Sequence, residues 1–368
     1  MTQYVSESQR QPSVLLVGPR IVGDDVVGGT KISFESLVDY FSASDFWTTQ
    51  VVNLSRSRQT LGFFRFCTNV AVLIRSIILT AVKLPRSDVV ALNISPHGLI
   101  GSGPIFWLLA KMFRKPVAIR VFGGDLDAVL STANPLLRHL GKVTYLSSDL
   151  ILLQTKQLVE SFSHLKNVRF LPTGREVSSG CRIRKACRHL MFVAQLRREK
   201  GIPEIIAAAK VLGDQVTINV YGHAMPGFDP SELTAISNIR YFGEVDHASV
   251  TQAMLQNDVL LFPSYYDGEG YPGAVIEALQ TGMPVIATRW KSLPEIITDR
   301  DNGMLIEPKS ADALCSAIQE LIDDPDLVTR LSTSAAARGR DFSSLGINKE
   351  YDQQLRRVAG LGAPLCAE

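Results

Sequence analysis

Short apolar runs alternate with helical stretches along this chain, and the pattern stops once and then starts again. Val14-Leu15-Leu16-Val17-Gly18 reads as a buried strand, followed by a loop with Gly23, Gly28, Gly29 and Thr30 and by helical spacing from Ile32 through Leu37 to Phe41. Further strands are expected at 51–54, 89–94, 117–122, 150–153 and 168–171, with an apolar helix from about residue 63 and another over 105–113. A polar stretch, 175–188, which includes Ser178-Ser179-Gly180, interrupts the pattern. It resumes with strands at 189–194, 216–221, 239–243, 259–262 and 284–288. Strand, loop and helix repeated with short connections allow few architectures. The economical one is two doubly wound, Rossmann-like α/β domains with parallel sheets. The expected boundaries are 1–175 and 189–345 for the domains, 176–188 for the linker, and 346–368 for a polar helical tail able to cross back to the first domain.

Composition sets outer limits. A chain of 368 residues suits two domains, and 46% hydrophobic with 20% charged residues describes sizeable cores. A formal net charge of +2 carries no footprint of nucleic-acid binding. The five cysteines, Cys67, Cys181, Cys187, Cys315 and Cys366, are odd in number and form no C-x-x-C pair. That favours a reducing compartment over a disulfide framework or a cysteine-based zinc site. Residues 1–12 are polar, so no secretory signal is expected, and no run reaches ~18 uninterrupted apolar residues. A cytoplasmic location is expected, with the inner face of the plasma membrane left open by the stretch 63–82. That stretch is apolar nearly all round and is set among Arg56, Arg58, Arg65, Arg75, Lys83 and Arg86. A helix lying on an anionic membrane has this composition. So does a helix packed on a sheet with arginines snorkelling at its rim.

The most informative stretch runs from Phe262 through Glu295. Pro263 ends a strand, a loop of glycine, proline and aromatic residues follows, and a helix begins at about Gly273. Its first turn offers unpaired N–H groups and a positive dipole end, a site suited to phosphate. Glu269 and Glu277 stand in an E-x7-E spacing around that site. Glu277 suits a ribose diol, whose two hydroxyls match two carboxylate oxygens; a solvated helix-start glutamate explains it equally. The loop at Gly28 and Gly29 is neither G-x-G-x-x-G nor a P-loop, so a phosphate contact and a plain tight turn both remain open. Gly123-Gly124-Asp125 puts a turn and a carboxylate at a strand end, and His97 sits at another, more readily a turn histidine than a cleft residue. His139, His164, His189, His223 and His247 have no metal-ligand spacing.

Together these segments resemble the retaining glycosyltransferases of family 4, also called glycosyl transferases group 1. The resemblance rests on Pro263-Ser264, the Glu269/Glu277 spacing and Gly282-Met283-Pro284-Val285-Ile286-Ala287-Thr288. It extends to the run from Phe192 to Gly201, to Tyr241-Phe242-Gly243-Glu244-Val245, and to Pro172-Thr173-Gly174, where that family has Pro-Asn-Gly. It covers the second half closely and the first half in layout. It implies a GT-B fold and transfer from a nucleotide-diphosphate sugar to an acceptor hydroxyl, in polysaccharide, lipopolysaccharide or glycolipid assembly. No metal or other cofactor is implied, and the implied partners are the donor and a glycan or lipid-linked acceptor; a peripheral membrane contact stays open on the composition of 63–82 alone, and the near-neutral charge gives no nucleic-acid partner. Lys200 would then neutralise leaving diphosphate, Glu269 would hold donor-sugar hydroxyls and Glu277 the ribose. Gly273 and Ala274 would present amides to the donor, Gly28 and Gly29 would approach it from the other domain, and Gly243 and Val245 would lie beside the base. Two positions depart from the family pattern. Gln195 stands where an arginine is usual, which leaves Arg197 or Arg198 to supply the charge. Phe122-Gly123-Gly124-Asp125 replaces a histidine segment, so Asp125 would take part of that role or be an ordinary turn aspartate. A non-catalytic GT-B partner subunit and a nucleotide-sugar epimerase are the rival functions.

Overall fold

The computed structural model describes residues 10–22, 28–55, 62–177 and 180–361, with the backbone alone for 62–65. Gly23, Arg56, Arg58, Ser178, Ser179, Cys366 and residues 1–9 lie outside the described residues, as does the side chain of Arg65. Strands β1 (Ser13–Gly18), β2 (Thr48–Asn53), β3 (Val89–Ile94), β4 (Val117–Val121), β5 (Leu150–Leu153) and β6 (Val168–Phe170) form one sheet, ordered β2-β1-β3-β4-β5-β6. A second sheet, ordered β12-β11-β10-β7-β8-β9, contains β7 (His189–Val193), β8 (Thr217–Tyr221), β9 (Ile239–Tyr241), β10 (Val259–Phe262), β11 (Val285–Thr288) and β12 (Gly303–Ile306). All pairings are parallel, with Leu16 opposite Val51 and Ala91, and Leu261 opposite Ile286. Parallel strands are covered on both faces, which is why they read as continuous apolar runs rather than as alternation.

Alternate side chains of the first sheet enter two cores. Leu15, Val17, Val90, Leu92 and Ile119 face one, and Val14, Leu16, Val89, Ala91 and Ala118 face the other. Two helices close the second core. One is Gly29–Ser42, through Phe34, Leu37 and Phe41; the other is Ser344–Val358, through Ile347, Tyr351 and Leu355. The chain thus returns from the second sheet to cover the first. Its polar composition conceals these anchors, each contributing about 1.5–3 kcal/mol by burial. Trp47 Nε1 donates to Asp352 Oδ1 at 2.6 Å and so fixes the helix from the side.

The structure departs from the sequence expectations in several places. The edge strand β12 and the helices Leu126–Thr132 and Pro135–Leu146 lack a clear signal; the last of these leaves leucines facing solvent. The stretch 175–188, read as a polar linker, contains two buried arginines, Arg175 and Arg184. Arg184 gathers the carbonyls of Met254 (2.7 Å), Asn257 (3.2 Å) and Thr281. Burial lowers its pKa to about 10. Helix Gly62–Lys83 does pack on the first sheet, through Leu73, Ile77 and Leu79, and Ser76 Oγ donates to the Asn53 carbonyl at 3.0 Å. Its other face is exposed. Among the described residues it is the one helix long and apolar enough, by length and composition, to cross a membrane.

Candidate active site

In a doubly wound sheet the loops at the strand C-termini part where strand order reverses, and the gap holds ligands. The second sheet reverses between β10 and β7, and the first between β1 and β3. Loops from both gaps line one cleft of ≈ 870 Å³, within the usual range for a ligand site. Gln195, Arg197 and Lys200 follow β7; Tyr266, Glu269 and the start of helix Gly273–Gln280 follow β10; Gly28 and Gly29 follow β1; His97 follows β3.

Lys200 and Glu269 form a buried pair at the floor of this cleft. Lys200 Nζ lies 2.6 Å from Glu269 Oε2, and Ser264 Oγ donates to the same oxygen at 2.6 Å. Their side chains are only 13% and 7% exposed. The rings of Tyr266 and Phe262 lie 4.9 and 5.5 Å from the ammonium. Two residues far apart in sequence are thus set by the two loops of one strand-order reversal, and the cation is held in place by an anion and two aromatic faces.

Arg175 is the site residue that the sequence reading missed. Its Nε donates to Glu277 Oε1 at 2.7 Å, its Nη1 to Ser33 Oγ at 2.8 Å, and its Nη2 to the Gly29 carbonyl at 3.4 Å. It therefore ties the first sheet's helix to the second sheet's cleft helix, and it is 3% exposed. A lone arginine after Pro-Thr-Gly in a polar run gives no sign of this, because all three partners are distant in sequence. Glu277 is accordingly neither a solvated helix-start carboxylate nor wholly free for a ligand. Oε1 is engaged, while Oε2 lies 3.9 Å from His247 Nδ1, beyond hydrogen-bond length.

Helix Gly273–Gln280 starts without a side-chain cap, and Gly273 and Ala274 line the cleft there. A Cβ on Gly273 would lie 2.0 Å from Arg175 Nη2, so only glycine fits. Gly273→Ala is expected to dislodge Arg175 and lower stability by about 1–3 kcal/mol, measured by denaturant melting. Gly124 has the same constraint across the cleft, since a Cβ there would meet the Glu269 carbonyl at 2.0 Å. Glu295 binds the halves as well, its carboxylate accepting from the Lys156 and Gln157 amides at 2.7 and 3.0 Å.

The remaining expected site residues divide. Gln195 and Arg197 line the cleft, with the Arg197 guanidinium 4.9 Å from the centre of the Tyr266 ring. Arg198 does not line it; the short turn after Arg197 sends its side chain outward to Glu232, at 3.2 Å, where it is 59% exposed. Val245 lines the cleft, whereas Gly243 does not; its carbonyl accepts from the Gly222 amide at 2.7 Å. Beside them the Tyr221 and Phe242 rings stack with centroids 4.8 Å apart. Asp125 and His97 both line the cleft, His97 from the short helix that follows β3.

Burial raises the Asp125 pKa, with His97 and Lys291 opposing the shift. A carboxyl raised in the folded state stabilises fully below its unfolded pKa of about 3.9, and that share is lost as pH rises through the raised value. Asp125→Asn is expected to flatten this part of the stability curve, read as melting temperature against pH.

Comparison with known proteins extends this geometry. Residues 182–338 match the family described as glycosyl transferases group 1. The chain is 27% identical over 184 residues to the putative colanic acid biosynthesis glycosyltransferase WcaL of Salmonella typhimurium, covering 46% of this chain and 45% of that protein. It is 37% identical over 128 residues to the putative teichuronic acid biosynthesis glycosyltransferase TuaC of Bacillus subtilis, covering 35% and 31%. These matches span less than half the length of the curated relatives. In structure it is similar to a sucrose-phosphate synthase of Thermosynechococcus elongatus, with a TM-score of 0.76 and 17% identity over 95% of this chain and 99% of that one. It is also similar to HepE of Anabaena, solved in complex with UDP, with a TM-score of 0.73 and 14% identity over 94% and 100%. At these identities the structural likeness establishes the fold. The reversal points of two parallel sheets facing across one cleft are the GT-B arrangement, and the match to the glycosyl transferases group 1 family falls on residues 182–338, which form the second sheet's half of it.

Proposed function

We propose that this protein is a retaining, family 4-like glycosyltransferase that moves a hexosyl group from a nucleotide-diphosphate sugar to an acceptor hydroxyl in polysaccharide, lipopolysaccharide or glycolipid assembly. The observation that carries this reading is the buried Lys200–Glu269 pair beside an uncapped helix start, where the strand-order reversals of two sheets face each other. Relatives named for colanic and teichuronic acid biosynthesis support the polymer class, and HepE, solved with UDP-glucose, supports the donor class.

In this reading the donor diphosphate lies over the Gly273 and Ala274 amides, with Lys200 and Arg197 beside it. Glu277 Oε2 takes a ribose hydroxyl, and Glu269 Oε1 takes a hydroxyl of the sugar. The bond from the anomeric carbon to the phosphate oxygen breaks while the acceptor oxygen bonds to that carbon from the same face. The acceptor proton passes to the departing phosphate, so no protein nucleophile is needed. Charge grows on the phosphate as the bond breaks, and a cation already held in place lowers that barrier rather than merely binding the ground state. Protein cations fill this role, and the proposal invokes no metal. Closure of the two halves would exclude water that would otherwise take the sugar.

Melting the protein with UDP, GDP and ADP and their sugars tests the reading. The right donor at about 100-fold its Kd raises stability by about 2.7 kcal/mol. Its consumption should require an acceptor alcohol. Isomerisation without acceptor would indicate an epimerase. Binding without consumption across a broad acceptor panel would indicate a non-catalytic subunit.

A further inference from the structure

Of 21 exposed large hydrophobic side chains among the described residues, 13 lie on three adjoining helices of the first half or at the end of one, at Phe113. The helices are Gly62–Lys83, Gly103–Met112 and Pro135–Leu146, packed side by side over the same face of the first sheet. On the first, Phe66, Val70, Ile74, Ile78 and Val82 recur every four residues, a stripe running slightly oblique to the axis. Ile105, Leu108 and Met112 continue it on the second, and Leu136 and Leu140 on the third. Phe66, Val82, Met112 and Leu136 are 66%, 68%, 69% and 65% exposed, more than a scattering of surface apolar residues explains.

The charges on these three helices are of one sign. The three helices contain no aspartate or glutamate, whereas Arg75, Lys83, Lys111, Arg138 and Lys142 lie on them and Arg86 and Arg114 on the turns that follow. The nearest acids of the adjoining turns are engaged: Asp149 accepts from Lys111 Nζ and the Val117 amide at 2.7 Å each, and Asp88 accepts from the Ser13 amide at 2.7 Å. We propose that this face docks the protein on an anionic lipid bilayer. An apolar centre with a cationic rim matches acyl chains beneath acidic headgroups. A second copy would set two cationic rims against each other. The long helix lies on the surface and does not span it, because Leu73, Ile77, Leu79 and the Ser76 bond hold its inner side to the sheet. Gly141 of the third helix packs under Ile100 of the short helix that carries His97, so the docked surface borders the cleft.

Flotation with neutral phosphatidylcholine vesicles, and with vesicles in which about a third of the lipid is phosphatidylglycerol, tests this surface. The wild-type chain is expected to float with the anionic vesicles alone and to release when salt is raised to about 0.5 M. An Ile74→Glu/Ile78→Glu variant and an Arg75→Glu/Lys142→Glu variant are each expected to lose at least about tenfold in partitioning. Their melting temperatures and their donor-induced shifts should stay at wild-type values, since the substituted side chains face solvent. No flotation of the wild type on anionic vesicles, or unchanged flotation of both variants, overturns the proposal. So does a dimer that the isoleucine variant dissociates while vesicle binding is absent. The reading does not depend on the transferase assignment, and loss of donor binding with flotation intact would count against that assignment alone.

Discussion

Lys200→Ala is expected to lower donor turnover at saturating donor by about 10²–10³-fold, the loss seen when a preorganised group facing developing charge is removed. The same change strands Glu269, whose side chain is 7% exposed, with Ser264 as its remaining partner. An uncompensated buried carboxylate costs about 3–5 kcal/mol, so the variant is also expected to melt early. Lys200→Ala/Glu269→Gln separates the two effects: it should recover stability, because the orphan charge is gone, and leave turnover low. Recovery of both would mean that Lys200 acts only on the fold. If Lys200→Ala and Glu277→Ala both keep the wild-type rate, the site assignment fails.

Arg175→Leu is expected to lower stability by a similar amount, about 3–5 kcal/mol, because it removes the hydrogen-bonded partner of Glu277, whose side chain is only 11% exposed. It also removes the bonds to Ser33 and Gly29, and with them a tie between the halves. Donor affinity is expected to fall with it, since Glu277 loses the partner that fixes its carboxylate. Arg175→Leu/Glu277→Gln is the control. Denaturant melts of the two single variants and the double variant complete a cycle, and a coupling energy near zero would show that the pair does not act as a unit.

Much of this was legible in the residues. Eleven strands follow from apolar runs, because a parallel strand buried on both faces has no polar side to interrupt it. The cleft helix follows from Pro263 and the glycine-rich loop, and Lys200 from the segment after β7. Arg198 illustrates the limit: Arg197 and Arg198 are adjacent and identical in type, yet a single residue of backbone rotation sends one into the cleft and the other to Glu232. The polar composition of the C-terminal helix likewise hid three side chains that close the first core.

Strand positions and helix starts depend on neighbours within a few residues, so the sequence by itself determined two doubly wound halves and the loops at which ligands would bind. The partner of each charge depends on which distant loops meet, and that was decided by tertiary structure. Glu269 found Lys200, 69 residues away, and Glu277 found Arg175, 102 residues away. No local pattern encodes such pairs, because the energy that selects them arises only once both partners are buried together.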